Sequence, residues 1–122
     1  MDKNFVIAVH NEIIALYGGL AGMRDEGLLE SALGRYNSVL SYGEGSDIFD
    51  AVAAMTHSLI KNHAFADGNK RTAANICEAQ LEADGYSLRV NDDEFYAVIM
   101  GIAQDKISVE EFARWLRMKC EE

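Results

Sequence analysis

The chain has 122 residues, 49% of them hydrophobic, and a formal net charge of −9. This length fits one domain with a single core, spanning residues 1–122. The negative charge disfavours direct nucleic-acid binding through a broad basic face. No apolar run approaches the roughly 20 residues that span a bilayer.

The N-terminal residues and the two cysteines indicate the cellular compartment of the protein. Residues 1–4 lack a secretory signal pattern, and Cys77 and Cys120 do not make a disulfide framework. We expect Cys77 to be a small core residue of a helix and Cys120 to be exposed near the C-terminal tail. The sequence therefore predicts a cytoplasmic protein that does not contact membranes.

Apolar periodicity predicts three helices in the first half of the chain. The first covers residues 4–17 and is broken by the glycine-rich run Gly18–Gly22. Asp25 and Asp47 are favoured N-cap residues for the second and third helices. Between these two helices, Tyr36–Gly45 is interpreted as a connection. The histidines of the first and third helices, His10 and His57, are expected to lie outside any site.

Three further helices are predicted in the second half. The fourth runs from about Asn69, a favoured N-cap type, and its end is signalled by Gly85. Asn91 or Asp92 caps the fifth helix, and a capping box opens the last helix at Ser108. With an extended connector at residues 86–90, the sequence predicts an all-α bundle of about six helices with minor or no strand content.

The segment His63–Ala73 carries the most chemistry. Lys70 and Arg71 fall in the first turn of the fourth helix, where the helix dipole is already positive and cations are unfavourable. Free backbone N–H groups and two cations at one helix start form an anion site. Gly68 allows a turn with positive φ and a close approach of phosphate to the backbone.

Two more residues of this segment add functional groups. Asp67 is placed to hold Mg²⁺, which prefers one or two carboxylates together with phosphate oxygens and water. His63 can take a proton from an attacking hydroxyl, and Phe65 is expected to point inward and fix the loop. The set is typical of phosphoryl transfer. The alternative is a plain turn with one buried aromatic and a solvated Lys-Arg pair.

The segment resembles the signature loop of the Fic/Doc family. This chain departs from the Fic pattern at Ala64, which replaces a proline, and at Lys70, which replaces a glycine. Ala74 stands where Fic enzymes usually carry a second arginine. Lys70 and the missing arginine resemble the Doc (death on curing) branch of the family.

The resemblance extends over nearly the whole chain. Doc-type sequence is also found at Gly18–Asp25, Leu29–Leu33 and Ile107–Val109. In the family, the segment equivalent to Gly18–Arg24 lies over the active site and helps to position the protein target. The resemblance therefore implies a flap at these residues, with a plain interhelical loop as the alternative.

The resemblance implies a toxin of a bacterial toxin–antitoxin pair that uses ATP and Mg²⁺. Its expected activity is transfer of phosphate to a threonine of elongation factor Tu, which arrests translation. The expected partner is a Phd-type antitoxin whose disordered C-terminal segment folds against the toxin. Alternatives are Fic-type AMP transfer, a catalytically silent binding module and, more weakly, a metal hydrolase.

The resemblance also assigns roles within the loop. His63 is the expected general base, and Asp67 the expected Mg²⁺ ligand. The remaining positions are expected to bind phosphate and to stabilise its charge during transfer: Gly68, Asn69, Lys70 and Arg71. With Ala74 in place of the arginine that holds the far phosphates, a nucleotide with its γ-phosphate toward His63 is expected.

Overall fold

The computed structural model of the chain describes residues 1–122. Its helices are α1 (Lys3–Tyr17), α2 (Glu26–Tyr42), α3 (Ile48–Asn62), α4 (Asn69–Ala83), α5 (Asp92–Ala103) and α6 (Val109–Lys119). Two short strands, β1 (Ser87–Leu88) and β2 (Cys120–Glu121), pair antiparallel with Ser87 opposite Glu121. The predicted all-α bundle with minor strand content is therefore confirmed, and no helix has both the length and the apolar character needed to cross a bilayer.

Helix α3 is the centre of the bundle. Every residue from Ala51 to Thr56 is buried, so this stretch is covered on all sides rather than along one stripe. The helix packs against α2, α4, α5 and α6. Because α3 is enclosed by its neighbours, its C-terminal end, where His63 follows, is held in a fixed position.

Most helix starts agree with the sequence, because short polar side chains cap them. The side chains of Asp25, Asp47 and Asn91 each accept a hydrogen bond from a first-turn backbone N–H. Ser108 and Glu111 form the predicted capping box of α6.

The prediction that Tyr36–Gly45 is a connection is wrong, since α2 continues to Tyr42. The physical reason is a contact with a distant part of the chain. The Tyr36 hydroxyl donates to the Asp84 carboxylate, at 2.8 and 2.9 Å from its two oxygens. Burial and this carboxylate raise the pKa of Tyr36 to about 12.

Two smaller predictions also need correction. The N-cap of α4 is Gly68, not Asn69, and it makes no side-chain capping bond. Cys120 is partly buried in β2 rather than exposed, because it packs against the core where β2 pairs with β1. Cys77 is fully buried in α4, as predicted.

Candidate functional site

A cleft with a volume of about 480 Å³ lies between the end of α1 and the start of α4. It is lined by Ile13, Tyr17, Gly18, Gly19, His63, Ala66, Asp67, Gly68, Asn69, Lys70, Arg71 and Tyr96. The structure thus brings all the site residues predicted from the sequence to one cavity. Of the predicted flap, Gly18–Arg24, the first two glycines also line it.

His63 follows the last residue of α3 and has left-handed backbone angles, φ 51° and ψ 51°. Such angles are uncommon outside glycine, and they are often found at functional sites. Arg24 holds this turn, because its Nε donates to the carbonyl of His63 at 3.0 Å and its Nη2 to that of Asn62 at 3.3 Å. The imidazole itself is exposed to the cleft.

Phe65 anchors the loop from below, as the sequence predicted. It is 3% exposed and stacks on the ring of His10, with centroids 3.8 Å apart. The Nε2 of His10 lies 2.7 Å from the Asp67 carbonyl oxygen, so the tautomer with a proton on Nε2 donates to it. His10 does not line the cleft. It supports the loop from the core, a contact that the sequence did not predict.

Asn69 closes the loop. Its Oδ1 accepts from the backbone N–H of Phe65 at 3.1 Å, and its Nδ2 donates to the carbonyl of Phe65 at 3.0 Å. This pair of bonds explains why Asn69 is not the N-cap of α4. The side-chain amide is already engaged, so phosphate binding at Asn69 would use its backbone N–H.

The first turn of α4 is positively charged. Its first turn has no acidic residue, and neither Lys70 nor Arg71 forms a salt bridge. The first backbone hydrogen bond of the helix is from Thr72 N–H to the Gly68 carbonyl at 3.0 Å, so the N–H groups of residues 69–71 have no backbone acceptor. Free N–H groups and two unpaired cations are groups that can bind an anion, so the start of α4 is a candidate anion site.

Asp67 presents a carboxylate to the same cleft. Its oxygens accept from two backbone N–H groups, that of Gly68 at 2.9 Å and, more weakly, that of Leu20 at 3.4 Å. It pairs with no cation. A lone carboxylate beside this candidate anion site could hold Mg²⁺, which prefers one or two carboxylates together with phosphate oxygens and water. The chain gathers no group of three or more potential metal ligands.

The flap is attached to the loop through its backbone. Met23 and Phe65 form an isolated antiparallel bridge, and the Ala66 N–H donates to the Gly22 carbonyl at 3.1 Å. The N–H groups of Arg24 and Asp25 both donate to the Ala64 carbonyl. These bonds fix the second half of the flap, while Gly18 and Gly19 form one wall of the cleft.

Arg71 lies near two aromatic rings that the sequence did not predict as part of the site. Its guanidinium carbon is 3.9 Å from the centroid of the Tyr17 ring and 5.5 Å from that of Tyr96. Tyr17 ends α1 and Tyr96 lies in α5, so only the folded chain brings them to Arg71. The one sequence signal was a large aromatic residue directly before the glycine run.

A second cavity of about 430 Å³ adjoins the cleft and shares Tyr17, Arg71 and Tyr96 with it. Ala74 lines this second cavity, together with carboxylates that include Glu78 and Asp92. Burial raises the pKa of Glu78, and the neighbouring charges of Asp92 and Glu82 raise it further. The wall beyond Arg71 is therefore acidic.

A family model described as the Fic/DOC family matches residues 1–81. The chain belongs to the Fic/DOC family. It is 36% identical to "Protein kinase doc" of Escherichia phage P1 over 112 residues, which are 92% of the chain and 88% of that protein. It is 38% identical to "Toxin Doc" of Mycolicibacterium smegmatis over 79 residues, 63% of the chain and 60% of that protein.

These relatives support the Doc branch of the Fic/DOC family, as the sequence predicted. The family match covers α1 to α3, the loop and nearly all of α4. The elements that form the candidate anion site and support the loop therefore belong to the matched part of the chain, and Tyr96 is the one lining residue of the cleft outside it.

Proposed function

We propose that the chain is the toxin of a bacterial toxin–antitoxin pair and transfers the γ-phosphate of ATP to a hydroxyl of a target protein. The proposed target is a threonine of elongation factor Tu, whose modification arrests translation. The relatives support a toxin function and a kinase-like transferase activity, since one is named a kinase and the other a toxin.

The acidic wall of the second cavity, beyond Arg71, favours transfer of phosphate over transfer of AMP. Ala74 supplies no cation there, and the surrounding carboxylates, among them Glu78 and Asp92, repel phosphate. The polyphosphate is therefore expected to bind at the start of α4, where Lys70, Arg71 and the free N–H groups lie. This arrangement favours a nucleotide whose γ-phosphate faces His63.

The proposed reaction is a single displacement. The target hydroxyl oxygen forms a bond to the γ-phosphorus, the bond from that phosphorus to the β–γ bridging oxygen breaks, and ADP leaves. The exposed imidazole of His63 accepts the hydroxyl proton. Lys70 and Arg71 stabilise the charge that moves onto the bridging and terminal oxygens, because both cations line the cleft at the start of α4.

Asp67 is the proposed ligand for Mg²⁺, which when bound neutralises charge on the phosphate oxygens. The proposed restraint on the toxin is a Phd-type antitoxin with a segment that folds on binding. The chain is proposed to meet both elongation factor Tu and the antitoxin in the cytoplasm.

The test uses ATP labelled at either the γ or the α position, with Mg²⁺, elongation factor Tu and the purified chain. We expect label from the γ position on elongation factor Tu and none from the α position. His63→Ala should abolish transfer and leave the circular dichroism spectrum unchanged, because His63 lies at a helix end and is exposed. The matched control is His57→Ala, which removes a histidine of α3 outside the cleft and should keep transfer.

Other outcomes decide between the alternatives. Label from the α position alone would establish AMP transfer and overturn the phosphate assignment. No label, together with growth arrest that His63→Ala does not relieve, would favour a binding module that needs no chemistry.

A further inference from the structure

The guanidinium of Arg71 is held by aromatic faces instead of by carboxylates. It makes no salt bridge, and its guanidinium carbon lies over the rings of Tyr17 and Tyr96. Arg117 shows the opposite arrangement in the same chain. Its Nε lies 2.8 Å from Asp47 Oδ2 and its Nη2 lies 2.6 Å from Asp50 Oδ1. The donors of Arg117 are therefore occupied by carboxylates, whereas those of Arg71 are free.

The difference between the two arginines has a chemical consequence. A guanidinium donates hydrogen bonds only in its own plane, whereas the face of an aromatic ring attracts its positive charge through the ring quadrupole. At 3.9 Å from the centroid, the ring of Tyr17 restricts the side chain of Arg71 without occupying any N–H donor. The N–H groups stay available for phosphate oxygens, which a guanidinium binds in bidentate fashion.

Tyr17 has no packing role in the core. It is 62% exposed, it is the last residue of α1, and it is absent from the hydrophobic core. Arg71 is the one cation that lines both cavities. The contact with Arg71 is therefore the main interaction of the exposed Tyr17 ring. Tyr96, at 5.5 Å, is a weaker second face.

We infer that Tyr17 is a positioning residue, which fixes the Arg71 guanidinium so that its donor edge meets the phosphates of the nucleotide. This inference rests on the proposed function only in that the bound anion is the polyphosphate of ATP. It holds whether the phosphate or the AMP group is transferred, because both need the polyphosphate to be bound.

The test measures the affinity of the full chain for ATP with Mg²⁺ by titration calorimetry. Tyr17→Leu keeps an apolar side chain but removes the π face, and it should weaken ATP binding about fivefold, the order expected for a partly exposed cation–π contact. Tyr17→Phe keeps the face and loses only the hydroxyl, so its affinity should stay within about twofold of the parent.

A double-mutant cycle separates positioning from general damage. In an Arg71→Met background, Tyr17→Leu should have no further effect on ATP binding, because Tyr17 acts through Arg71. The matched control is Tyr42→Leu. Tyr42 also ends a helix before a glycine, is 87% exposed and lies outside the cleft, so this change should leave ATP affinity unaltered.

A second measurement does not depend on the nucleotide. The Arg71 Nε–H resonance, assigned by its loss in Arg71→Met, should be shifted by the ring current of Tyr17, should lose that shift in Tyr17→Leu and should keep it in Tyr17→Phe. Equal ATP affinities of Tyr17→Leu and Tyr17→Phe, an additive cycle, or an Arg71 resonance indifferent to Tyr17→Leu would each overturn the inference. Transfer of α label by a chain that passes these tests would overturn only the proposed phosphate transfer.

Discussion

Gly19 and the Asp67 carboxylate lie so close together that the chain tolerates no side chain between them. A Cβ on Gly19 would be 2.7 Å from Asp67 Oδ2, and the φ of Gly19 is +110°. We predict that Gly19→Ala moves the Asp67 carboxylate, or the flap with it, and therefore raises the Mg²⁺ concentration needed for half-maximal transfer several-fold. Magnesium titration of the transfer rate measures this shift.

Gly22 offers a matched control for the backbone strain. It has the same φ of +110°, yet a Cβ there would meet nothing within 4 Å. Gly22→Ala should lower the free energy of unfolding about as much as Gly19→Ala, by ~1–2 kcal/mol, while leaving the Mg²⁺ requirement unchanged. Equal Mg²⁺ requirements in the two variants would show that Gly19 does not bear on Asp67.

Among single residues, the sequence predicted the site residues that are neighbours in the chain. His63, Asp67 and Arg71 lie within nine consecutive residues, from the end of α3 to the first turn of α4, so the loop between the two helices brings them near each other. Tyr17 and Tyr96 could not be predicted in the same way, because they reach Arg71 from separate helices. Such contacts depend on how α1, α4 and α5 pack, which no local pattern specifies.

The helices show how local and distant contacts combine. Asp47 caps α3 in a capping box with Asp50, and Arg117 of α6 binds both carboxylates. The hydrogen bonds from Arg117, more than any other cause, lower the pKa of Asp47 to about 2. A local cap thus also joins α6 to the central helix.

We predict that Asp47→Ala lowers the free energy of unfolding at pH 7 by ~1–2 kcal/mol, mostly as the cost of losing the cap. Because the folded pKa lies below the ordinary 3.8, this contribution is complete above about pH 4 and is lost as the pH falls toward 2. Urea denaturation at several pH values should therefore show the difference between the variant and the parent narrowing below pH 4.

Asp25 provides the control for this prediction. It caps α2 through the Leu28 N–H at 3.1 Å but pairs with no arginine. Asp25→Ala should cost about 1 kcal/mol at pH 7. A pH dependence as steep as that of Asp47→Ala would contradict the role given to Arg117.

Helix starts were predictable because a cap is a local bond between residues a few positions apart. The end of α2 was not, because the helix is continued through Tyr36 by its bond to Asp84, a partner 48 residues away. The N-cap of α4 was assigned to Asn69 instead of Gly68 for a related reason. The Asn69 amide, a good cap by type, bonds the backbone of Phe65 instead.

For the whole molecule, the central position of α3 predicts unfolding as one unit. Met55 is fully buried at the centre of this helix. Met55→Ala should lower the free energy of unfolding by ~2–5 kcal/mol through the cavity it leaves. Far-UV circular dichroism and the fluorescence of Trp115, which reports on α6, should shift to the same new midpoint, since small single domains unfold cooperatively.

Met118 of α6 is the matched control for Met55, as it is 71% exposed. Met118→Ala should change the free energy of unfolding by no more than ~0.5 kcal/mol. Separate midpoints for the two probes would contradict the prediction that residues 1–122 form a single domain.

Transfer of phosphate to elongation factor Tu is the activity that we propose for the chain. The most direct measurement is the mass of elongation factor Tu purified from growth-arrested cells that produce the chain, followed by mapping of the modified residue. We predict a gain of one phosphate on a threonine, absent from cells that produce the His63→Ala variant. A gain of one AMP, or unmodified elongation factor Tu in arrested cells, would contradict the claim.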